Sequence, residues 1–386
     1  MANLKLTKAF EEAVRLGRPW VFRDALELPA GLEDGEVVDL LGRDGAFVAR
    51  GTVEPRSPLT FRAWTTDPSV SVDAALVLGR VERAAALRRE VLGPDVTGFR
   101  LCHGENDAVP GLQCDMYGTV ASLRTDGVLG LVWEERFVAA VEAVARPTAI
   151  VIRNPHRDDH AARVVRGRVH GDVVIQERTR RFEVSVLEGQ KTGFFLDQRD
   201  NRDRVGALSR GRRVLNLFAY TGGFSVAAAL GGATRVVTVD IARPAVEAAR
   251  RNFVLNGISV EPHGFEAADA FDVLAELGGK PPQYDLIVLD PPSFAPNKKS
   301  LDRALRAYEK LNEMALAALP PGGWLATASC SSHVRESDFL DLVGRAAART
   351  GRQVTVAGVH GAAPDHPTRL GFAEGHYLKF VLLRVG

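Results

Sequence analysis

Residues 284–294 read Tyr-Asp-Leu-Ile-Val-Leu-Asp-Pro-Pro-Ser-Phe, and the rest of the chain is organised around this stretch. Its apolar run, Leu286–Leu289, is typical of a buried strand and ends abruptly at Asp290. Because Pro291 cannot donate to a sheet ladder and biases the residue before it away from helix, Asp290 is expected at the carboxyl end of that strand. Ligands of open α/β sheets bind at this edge. Asp290, the backbone carbonyls of the two rigid prolines and the ring of Phe294 together suit a flat polar group such as a nucleobase. The alternative interpretation is a strand followed by a proline-rich turn with no ligand.

Strand-like and helix-like segments alternate on both sides of this stretch. Apolar strand patterns at 214–218, 235–239 and 324–329 are separated by segments with helical periodicity. The alternation predicts an α/β fold, with a doubly wound, mostly parallel sheet and helices on both faces. The last two strand-like segments, 353–359 and 377–385, are predicted to pair as an antiparallel ribbon.

The length of 386 residues exceeds one ordinary hydrophobic core, so several domains are expected. Residues 1–72 contain short apolar runs around a Gly-Arg-Asp-Gly hairpin turn, which indicates a small β-rich domain. Residues 73–185 mix helical and strand patterns and are predicted to form a central α+β domain. Residues 186–386 are predicted to form the doubly wound α/β domain.

Composition excludes several classes of partner. Lys and Arg total 49 and Asp and Glu 48, so any nucleic-acid surface must be a local patch. No apolar run approaches the ~20 residues of a membrane helix, and no secretory signal is recognisable, so no membrane partner is expected. Three cysteines make no disulfide framework, which favours a cytoplasmic setting. Cys102, His103 and Cys114 lack the spacing of a zinc site, and no metal is expected.

The strand at 214–218 leads into Ala-Tyr-Thr-Gly-Gly-Phe and then a helix, which lets a ligand approach the backbone near a helix N-terminus. Asp240 ends the next strand at roughly the ~20-residue interval expected of an acid that binds ribose hydroxyls. Because only Gly222 and Gly223 stand in the turn, no pyrophosphate fingerprint is present, and a phosphate-free adenosine such as S-adenosylmethionine (SAM) fits better. Asp269 precedes a helical stretch and could bind an adenine amine or simply begin the helix.

The ordered set of glycine turn, Asp240, Asp269 and Asp-Pro-Pro resembles the class I SAM-dependent methyltransferases. The resemblance implies a Rossmann-like, seven-stranded doubly wound sheet whose last strand is antiparallel. Residues 190–202, Gln-Lys-Thr-Gly-Phe-Phe-Leu-Asp-Gln-Arg-Asp-Asn-Arg, resemble a segment of the bacterial 23S rRNA methyltransferases that make 5-methylcytosine. The Ser-Cys-Ser of 329–331 and the tail segments 365–367 and 375–379 match as well, so the resemblance spans essentially the whole chain.

These enzymes carry an N-terminal PUA domain, a small RNA-binding β barrel. The Arg-Pro-Trp-Val-Phe of 18–22 and the following hairpin resemble its start, although aromatics beside arginines are also ordinary for the core of a small barrel. The resemblance implies SAM as cofactor and 23S ribosomal RNA as partner, and it leaves a homodimer open. It also implies that Lys191, Asp197 and Gln198 line the cofactor pocket. The expected cofactor-binding residues are Lys191, Asp197, Gln198, Phe218, Tyr220, Thr221, Gly222, Gly223, Asp240, Asp269 and Asp290. The expected substrate-binding residues are Pro291, Pro292, Phe294, Lys298 and Lys299, of which the two lysines could instead serve solubility.

Cys330 directly follows the strand pattern at 324–329, whose carboxyl end should lie beside the end of the Asp290 strand. Cytosine C5 is a poor nucleophile, and a thiolate that adds to C6 would activate it, with Asp290 bonding to N3. The motif alone also fits a buried strand-end cysteine; the resemblance favours a nucleophile. Another group of RNA cytosine-C5 methyltransferases has a second Cys where this chain has Pro292, so the base that removes the C5 proton stays unassigned.

The expected activity is therefore methylation of a cytosine C5 in 23S rRNA through a covalent Cys330 adduct. One alternative is methylation of an exocyclic amine, with Asp290 and the proline carbonyls polarising the amine and Phe294 stacking on the base. The other is a non-catalytic RNA-binding protein that keeps SAM as a structural ligand. The sequence leaves open which nucleotide is modified and whether the substrate is free rRNA or an assembled subunit.

Overall fold

The computed structural model describes residues 2–155, 161–295 and 300–386. The chain divides into two compact units. The first contains residues up to Arg178, Val184–Leu196 and Pro364–Gly375; the second contains Thr179–Glu183, Asp197–Ala363 and His376–Gly386. The boundaries expected near residues 72 and 185 stay predictions.

The first unit begins with a six-stranded sheet and continues with a five-stranded one. Its strands are β1 Asn3–Leu6, β2 Trp20–Phe22, β3 Leu26–Glu27, β4 Val37–Leu41, β5 Phe47–Val53, β6 Leu59–Thr65, β7 Gly98–His103, β8 Leu112–Tyr117, β9 Val120–Thr125, β10 Ala149–Arg153, β11 Arg163–Gly167 and β12 Val173–Glu177. Its helices are α1 Glu11–Arg15, α2 Ala74–Val91, α3 Leu129–Val132 and α4 Glu134–Ala145.

The six-stranded sheet has the order β2-β6-β5-β4-β1-β3. Alternate residues of its strands face a common core, as Val38 and Leu40 of β4 do, because side chains of a strand point to opposite faces in turn. The predicted hairpin joins β4 to β5, and Gly45 adopts a positive φ of 83° in its turn. The expected β-rich N-terminal region is therefore present.

The five-stranded sheet has the order β11-β10-β9-β8-β7, and α2 and α4 pack against each other over a buried apolar cluster. Helix α2 begins where the Asp73 carboxylate accepts a hydrogen bond from Leu76 N at 3.0 Å, which satisfies one of the unpaired N–H groups of the first turn. The mixed α+β character expected for this part of the chain is thus observed.

The second unit is built around a seven-stranded sheet. A short strand, β13 Arg180–Val184, precedes it, and its own strands are β14 Arg213–Leu217, β15 Arg235–Asp240, β16 Gly264–Ala267, β17 Leu286–Leu289, β18 Trp324–Ser329, β19 Val354–His360 and β20 Lys379–Val385. The helices are α5 Arg199–Leu208, α6 Gly223–Leu230, α7 Arg243–Leu255, α8 Ala270–Leu277, α9 Leu301–Ala318 and α10 Glu336–Thr350.

The sheet has the order β16-β15-β14-β17-β18-β20-β19. The pairs from β16 to β18 are parallel, and the last strand of the chain, β20, is antiparallel to both of its neighbours. This is the predicted doubly wound sheet with an antiparallel last strand. All four residues of β17 are buried, as expected of a central strand covered on both faces.

The helices follow from their apolar spacing. Ala304, Tyr308, Leu311 and Ala315 of α9 recur at three- and four-residue intervals and are all buried, so one face of this helix packs on the sheet. Within the described ranges, no helix is both long and apolar enough to cross a membrane.

The register of the parallel strands decides where a site can form. Leu217 of β14 is paired with Val239 of β15 and with Leu289 of β17. Leu289 in turn is paired with Thr327 of β18. The residues that follow these strand ends therefore meet at one edge of the sheet, where ligands of open α/β folds bind.

Candidate active site

The turn after β14 has an unusual backbone. Phe218 and Tyr220 have positive φ angles of 57° and 48°, and Gly222 has a φ of 79°. The left-handed conformation costs a non-glycine residue about 1–2 kcal/mol, and such strain concentrates at functional sites. A Cβ on Gly222 would also lie 2.8 Å from the Cβ of Ala249, which explains the glycine. The turn then opens helix α6, which begins at Gly223.

Asp240 at the end of β15 holds this turn. Its Oδ2 accepts a hydrogen bond from Tyr220 N at 2.8 Å, and its Oδ1 accepts one from Ala242 N at 2.9 Å. The side chain is only half-buried. Because each carboxylate oxygen can accept more than one hydrogen bond, Asp240 can hold the turn and still accept from ribose hydroxyls.

A buried polar network supports the turn from below. Asn216 Nδ2 donates to Ser225 Oγ at 2.8 Å, and Thr238 Oγ1 lies 2.8 Å from the same oxygen. Within the described ranges, the buried hydroxyl of Thr221 has no hydrogen-bond partner. An orphaned hydroxyl in a strained turn at a helix N-terminus fits a site whose ligand supplies the missing partner.

Asp269 has a structural task. Its Oδ1 accepts a hydrogen bond from Phe271 N at 2.7 Å, so it is the N-cap of α8. The simpler of the two sequence interpretations is thus observed, and contact with an adenine stays a prediction.

Asp290, at the end of β17, is positioned by a chain of side-chain amides. Gln198 Nε2 donates to Asp290 Oδ1 at 2.9 Å, and Asn201 Nδ2 donates to Gln198 Oε1 at 2.7 Å. The same Asn201 nitrogen donates to Gly361 O at 3.1 Å. Gln198 thus orients the acid, and its expected contact with the cofactor stays a prediction. Sequence reasoning missed Asn201, although it lies in the segment 190–202 that carried the family resemblance.

The neighbouring Asp197 is also held. Tyr377 donates its hydroxyl to Asp197 Oδ2 at 2.6 Å, and Ala363 N donates to Asp197 O at 2.9 Å. These bonds tie the chain before α5 to the segments around β20 within the second unit.

Cys330 follows β18, and β18 is the parallel neighbour of β17. Its Sγ lies 3.9 Å from the carbonyl oxygen of Pro291, to which the thiol donates. The side chain is half-buried. The predicted meeting of a thiol and an acid at adjacent strand ends is therefore observed.

The aromatic residues expected on the two sides of the site also meet. The rings of Phe218 and Phe294 are 6.5 Å apart and nearly perpendicular, and Phe294 lies 4.8 Å from Tyr308. Phe294 is half-buried, and Pro292 beside it is exposed. Burial raises the pKa of the Tyr308 hydroxyl, so it stays neutral near neutral pH.

Lys379, the first residue of β20, is a site residue that sequence reasoning left without a role. It is 1% exposed, and its Nζ donates to Ser331 O at 2.5 Å and to Tyr377 O at 2.7 Å. Burial lowers the pKa of Lys379 to about 8, against the opposing influence of Cys330. A lysine at the start of the apolar strand Lys-Phe-Val-Leu-Leu was the available signal, since buried lysines are rare.

For three further predicted residues the expected roles stay predictions. Lys191 belongs to the first unit, where its Nζ lies 4.7 Å from the centre of the Phe195 ring and its carbonyl accepts from Arg153 at 2.5 Å. Lys298 and Lys299 lie outside the described residues. No group of three or more potential metal ligands occurs among residues 2–155, 161–295 and 300–386.

Comparison with known protein families decides the class. Residues 128–360 match the family described as S-adenosylmethionine-dependent methyltransferase. The chain belongs to this family. Residues 4–66 match the PUA-like domain, so the predicted PUA-like start is confirmed.

Relatives with long matches carry related names. A ribosomal RNA large subunit methyltransferase of Deinococcus radiodurans is 39% identical, over 99% of this chain and 97% of that protein. A ribosomal RNA large subunit methyltransferase I of Aeromonas salmonicida is 36% identical, over 98% of both. This methyltransferase belongs to the same family as these enzymes.

Solved structures agree on the fold. SMU.776, a candidate methyltransferase crystallised with S-adenosylhomocysteine, superposes with a TM-score of 0.90 over 100% of both chains at 23% identity. The predicted class I fold and the cofactor are both confirmed: this methyltransferase uses SAM, which supplies an electrophilic methyl group. The turn at 218–223 with Asp240 fits the adenosine part of that cofactor, through an orphaned hydroxyl and a half-buried acid.

Proposed function

We propose that this protein methylates C5 of a cytosine in 23S ribosomal RNA through a covalent bond between Cys330 and C6. The observation that supports it most is the thiol of Cys330, 3.9 Å from the carbonyl of Pro291 and beside Asp290, on the edge of a SAM-dependent methyltransferase sheet. Transfer to an amine nitrogen needs no thiol at that point. The names of the relatives support ribosomal RNA of the large subunit as the substrate.

In the proposed reaction, Cys330 and Asp290 have different roles. The Cys330 thiolate adds to C6 and forms a C–S bond, which pushes the electrons of the C5–C6 double bond toward C5. Asp290, held by Gln198, gives its carboxyl proton to N3, which neutralises the charge that develops in the ring, and takes the proton back when the thiolate is expelled. C5 then takes the methyl group, and S-adenosylhomocysteine leaves. A base removes the C5 proton, the C5–C6 double bond re-forms, and the C–S bond breaks to return the thiolate.

The surrounding residues suit a flat base. Phe294 offers a half-buried ring next to the exposed Pro292, and the carbonyl of Pro291 lies on the side of Cys330. Aromatic rings that stack on an unpaired base contribute about 1–3 kcal/mol to single-stranded nucleic-acid binding. We assign substrate binding to Pro291, Pro292 and Phe294, and assign RNA binding to the PUA-like region matched at 4–66.

The covalent step has a direct test. RNA with 5-fluorocytosine at the target position carries no C5 proton, so the adduct cannot be resolved after methyl transfer. The wild-type protein with SAM should give a protein–RNA complex that survives denaturing gels, and Cys330→Ala should give none. Mass mapping of rRNA methylated by the wild-type protein should then locate the methyl group on a cytosine ring carbon. Full methylation of unmodified RNA by Cys330→Ala would refute the covalent mechanism.

The alternatives predict different outcomes of the same assays. If the product is an N-methylated base and Cys330→Ala is fully active, the exocyclic-amine reaction is correct. If tritiated SAM transfers no label to any bulk rRNA preparation, the protein is a non-catalytic SAM-binding protein.

A further inference from the structure

Two described groups beside Cys330 disfavour its thiolate. Its Sγ faces the carbonyl oxygen of Pro291 at 3.9 Å, which accepts a hydrogen bond from a thiol but repels a thiolate. Asp290 ends the adjacent parallel strand, and a second negative charge close by disfavours ionisation of the thiol further. An attack on C6 nevertheless needs the thiolate. A positive charge near the sulfur would offset both effects and favour the thiolate.

Lys379 is placed to provide it. In the antiparallel pair of β18 and β20 it lies directly opposite Ser329, the residue before Cys330. Its Nζ donates to the carbonyl oxygen of Ser331, the residue after Cys330, at 2.5 Å. A second bond to Tyr377 O at 2.7 Å fixes the amine from the other side. The lysine head group is thus anchored to the backbone that carries the thiol.

The charges around Lys379 also link its ionisation to that of Cys330. Burial favours its neutral form, whereas Cys330 first, and then Glu336 and Asp338 of α10, favour the ammonium. The influence of two ionisable groups on each other is reciprocal. If a thiolate at Cys330 stabilises the ammonium of Lys379, the ammonium stabilises the thiolate equally.

The described residues include other ionisable groups around the pair. Tyr308 of α9 is kept neutral by burial, and Asp290, the residue after β17, has an acidic side chain that cannot supply a positive charge. Arg335, at the start of α10, is engaged by Asp338 at 2.9 Å. His333 lies in the loop between β18 and α10.

We propose that the ammonium of Lys379 is the counter-charge that holds Cys330 as a thiolate for its attack on the cytosine ring. The inference deepens the proposed function and rests on it. Lys379 is a positioning residue, since it acts through Cys330 and forms no bond to the substrate. The thiol proton passes to water, and no bond to the lysine forms or breaks in the methyl transfer.

The pH dependence of Cys330 alkylation tests this in the free protein, without RNA or SAM. Cys330 is half-buried while Cys102 and Cys114 are buried, so iodoacetamide should modify Cys330 selectively in the native state. The variants are Lys379→Met, which removes the charge, and Lys379→Gln, which removes it but keeps N–H donors. Lys310→Met, at an exposed lysine of α9, is the matched control.

In both Lys379 variants the midpoint of the pH–rate profile should rise by about one unit or more, because the thiolate loses its counter-charge. Each unit lowers the thiolate fraction at pH 7 about tenfold, but a more basic thiolate is more nucleophilic, so the alkylation rate should fall about three- to fourfold per unit. Lys310→Met should match the wild type. A midpoint that stays in place in folded Lys379 variants overturns the proposal.

Replacing a buried lysine could prevent folding, so a second measurement uses Cys330→Ser. The protein is labelled with 13C at the lysine ε-carbon, and the signal of Lys379 is followed by NMR as the pH is changed. Loss of the thiolate should lower the pKa of that lysine relative to the wild type, and an unchanged pKa overturns the coupling. Failure of the proposed function is recognised separately: cytosine methylation by Cys330→Ala refutes the nucleophile, whereas an unmoved midpoint refutes only the role of Lys379.

Discussion

The cysteine side chain occurs in two contrasting environments, that of Cys330 and that of the pair Cys102 and Cys114. Cys102 and Cys114 face each other on β7 and β8 in the first unit, and both are buried. Burial raises the pKa of both thiols. Cys330 lies beyond the last residue of β18 in the second unit, where the chain leaves the sheet. A cysteine within a hairpin is enclosed by its neighbours, whereas one after a parallel strand meets the ligand edge.

Both environments also contain an aspartate, and the two aspartates differ in the groups that donate hydrogen bonds to them. Asp115 follows Cys114 and is fully buried, where Arg100 donates to Oδ1 at 2.5 Å and to Oδ2 at 3.1 Å. Thr192 also donates to it at 2.5 Å. Asp290 instead receives the neutral amide of Gln198, at 2.9 Å. Arg100 thus forms an ion pair with the acid of the first unit, whereas Gln198 orients the acid of the second unit through a neutral amide.

The largest expected difference is in activity. Cys330→Ala should lower methyl transfer from tritiated SAM to rRNA by about 10³-fold or more, since it removes the nucleophile of the proposed reaction. Cys102→Ala should keep most of the turnover per folded molecule. Comparable losses in the two variants would mean that the thiols do not differ in the way their surroundings indicate.

The ion pair of the first unit gives the next largest effect. Arg100→Met should reduce the free energy of unfolding by about 3–5 kcal/mol, because it leaves the buried Asp115 carboxylate without its partner. Urea unfolding followed by tryptophan fluorescence measures the loss.

A surface pair serves as the control for this loss. Arg213 and Asp285 form an ion pair at 2.9 Å in a partly exposed position, and Arg213→Met should cost no more than about 1 kcal/mol. Equal losses in Arg100→Met and Arg213→Met would show that the buried pair is not structural.

Replacing Asp290 of the second unit should lower the rate of catalysis more than the stability of the fold. Asp290→Asn should lower the rate constant for methyl transfer by about 10²-fold or more, equivalent to about 2.7 kcal/mol, because the amide cannot exchange a proton with cytosine N3. Single-turnover kinetics at saturating SAM separate this from weaker cofactor binding. Asp285→Asn, at the other end of the same strand, is the matched variant and should turn over normally.

The smallest expected effect is a difference between two conservative substitutions. Cys102→Ser places a hydroxyl in an apolar cluster and should cost about 1–3 kcal/mol of unfolding free energy. Cys330→Ser changes a half-buried side chain and should cost about 0.5 kcal/mol or less. Denaturant melts of the two variants, compared at the same pH, decide whether the first thiol is structural and the second is not.

Several features of the site followed from local sequence. The apolar run before Asp290 predicted a buried strand, and the two prolines predicted its end, because proline removes a ladder donor. The same reasoning placed Cys330 at the neighbouring strand end and Asp240 after the second strand, and the observed register agrees with both. Patterns of this kind are readable because the period and the end of a strand are set by adjacent residues.

Other features depended on contacts between distant segments. Gln198 donates to Asp290 across 92 positions of the chain, and Lys379 reaches the carbonyl of Ser331 across 48. Neither contact is encoded in a local motif, since each requires the pairing and register of the whole sheet. The cap formed by Asp269 was also undecided until its hydrogen bond to Phe271 was seen.

Local sequence therefore predicted several strands of the second unit, the points where they end and the chemical groups that follow them, because these features depend on neighbouring residues. The surroundings of each group depended on how distant segments pack. Cys102 and Cys114 were enclosed by burial, which disfavours their thiolates, while β20 brought a buried lysine to the loop of Cys330. The reason is physical: the ionisation of a side chain is set by the dielectric and the charges around it, and these come from segments far apart in the chain.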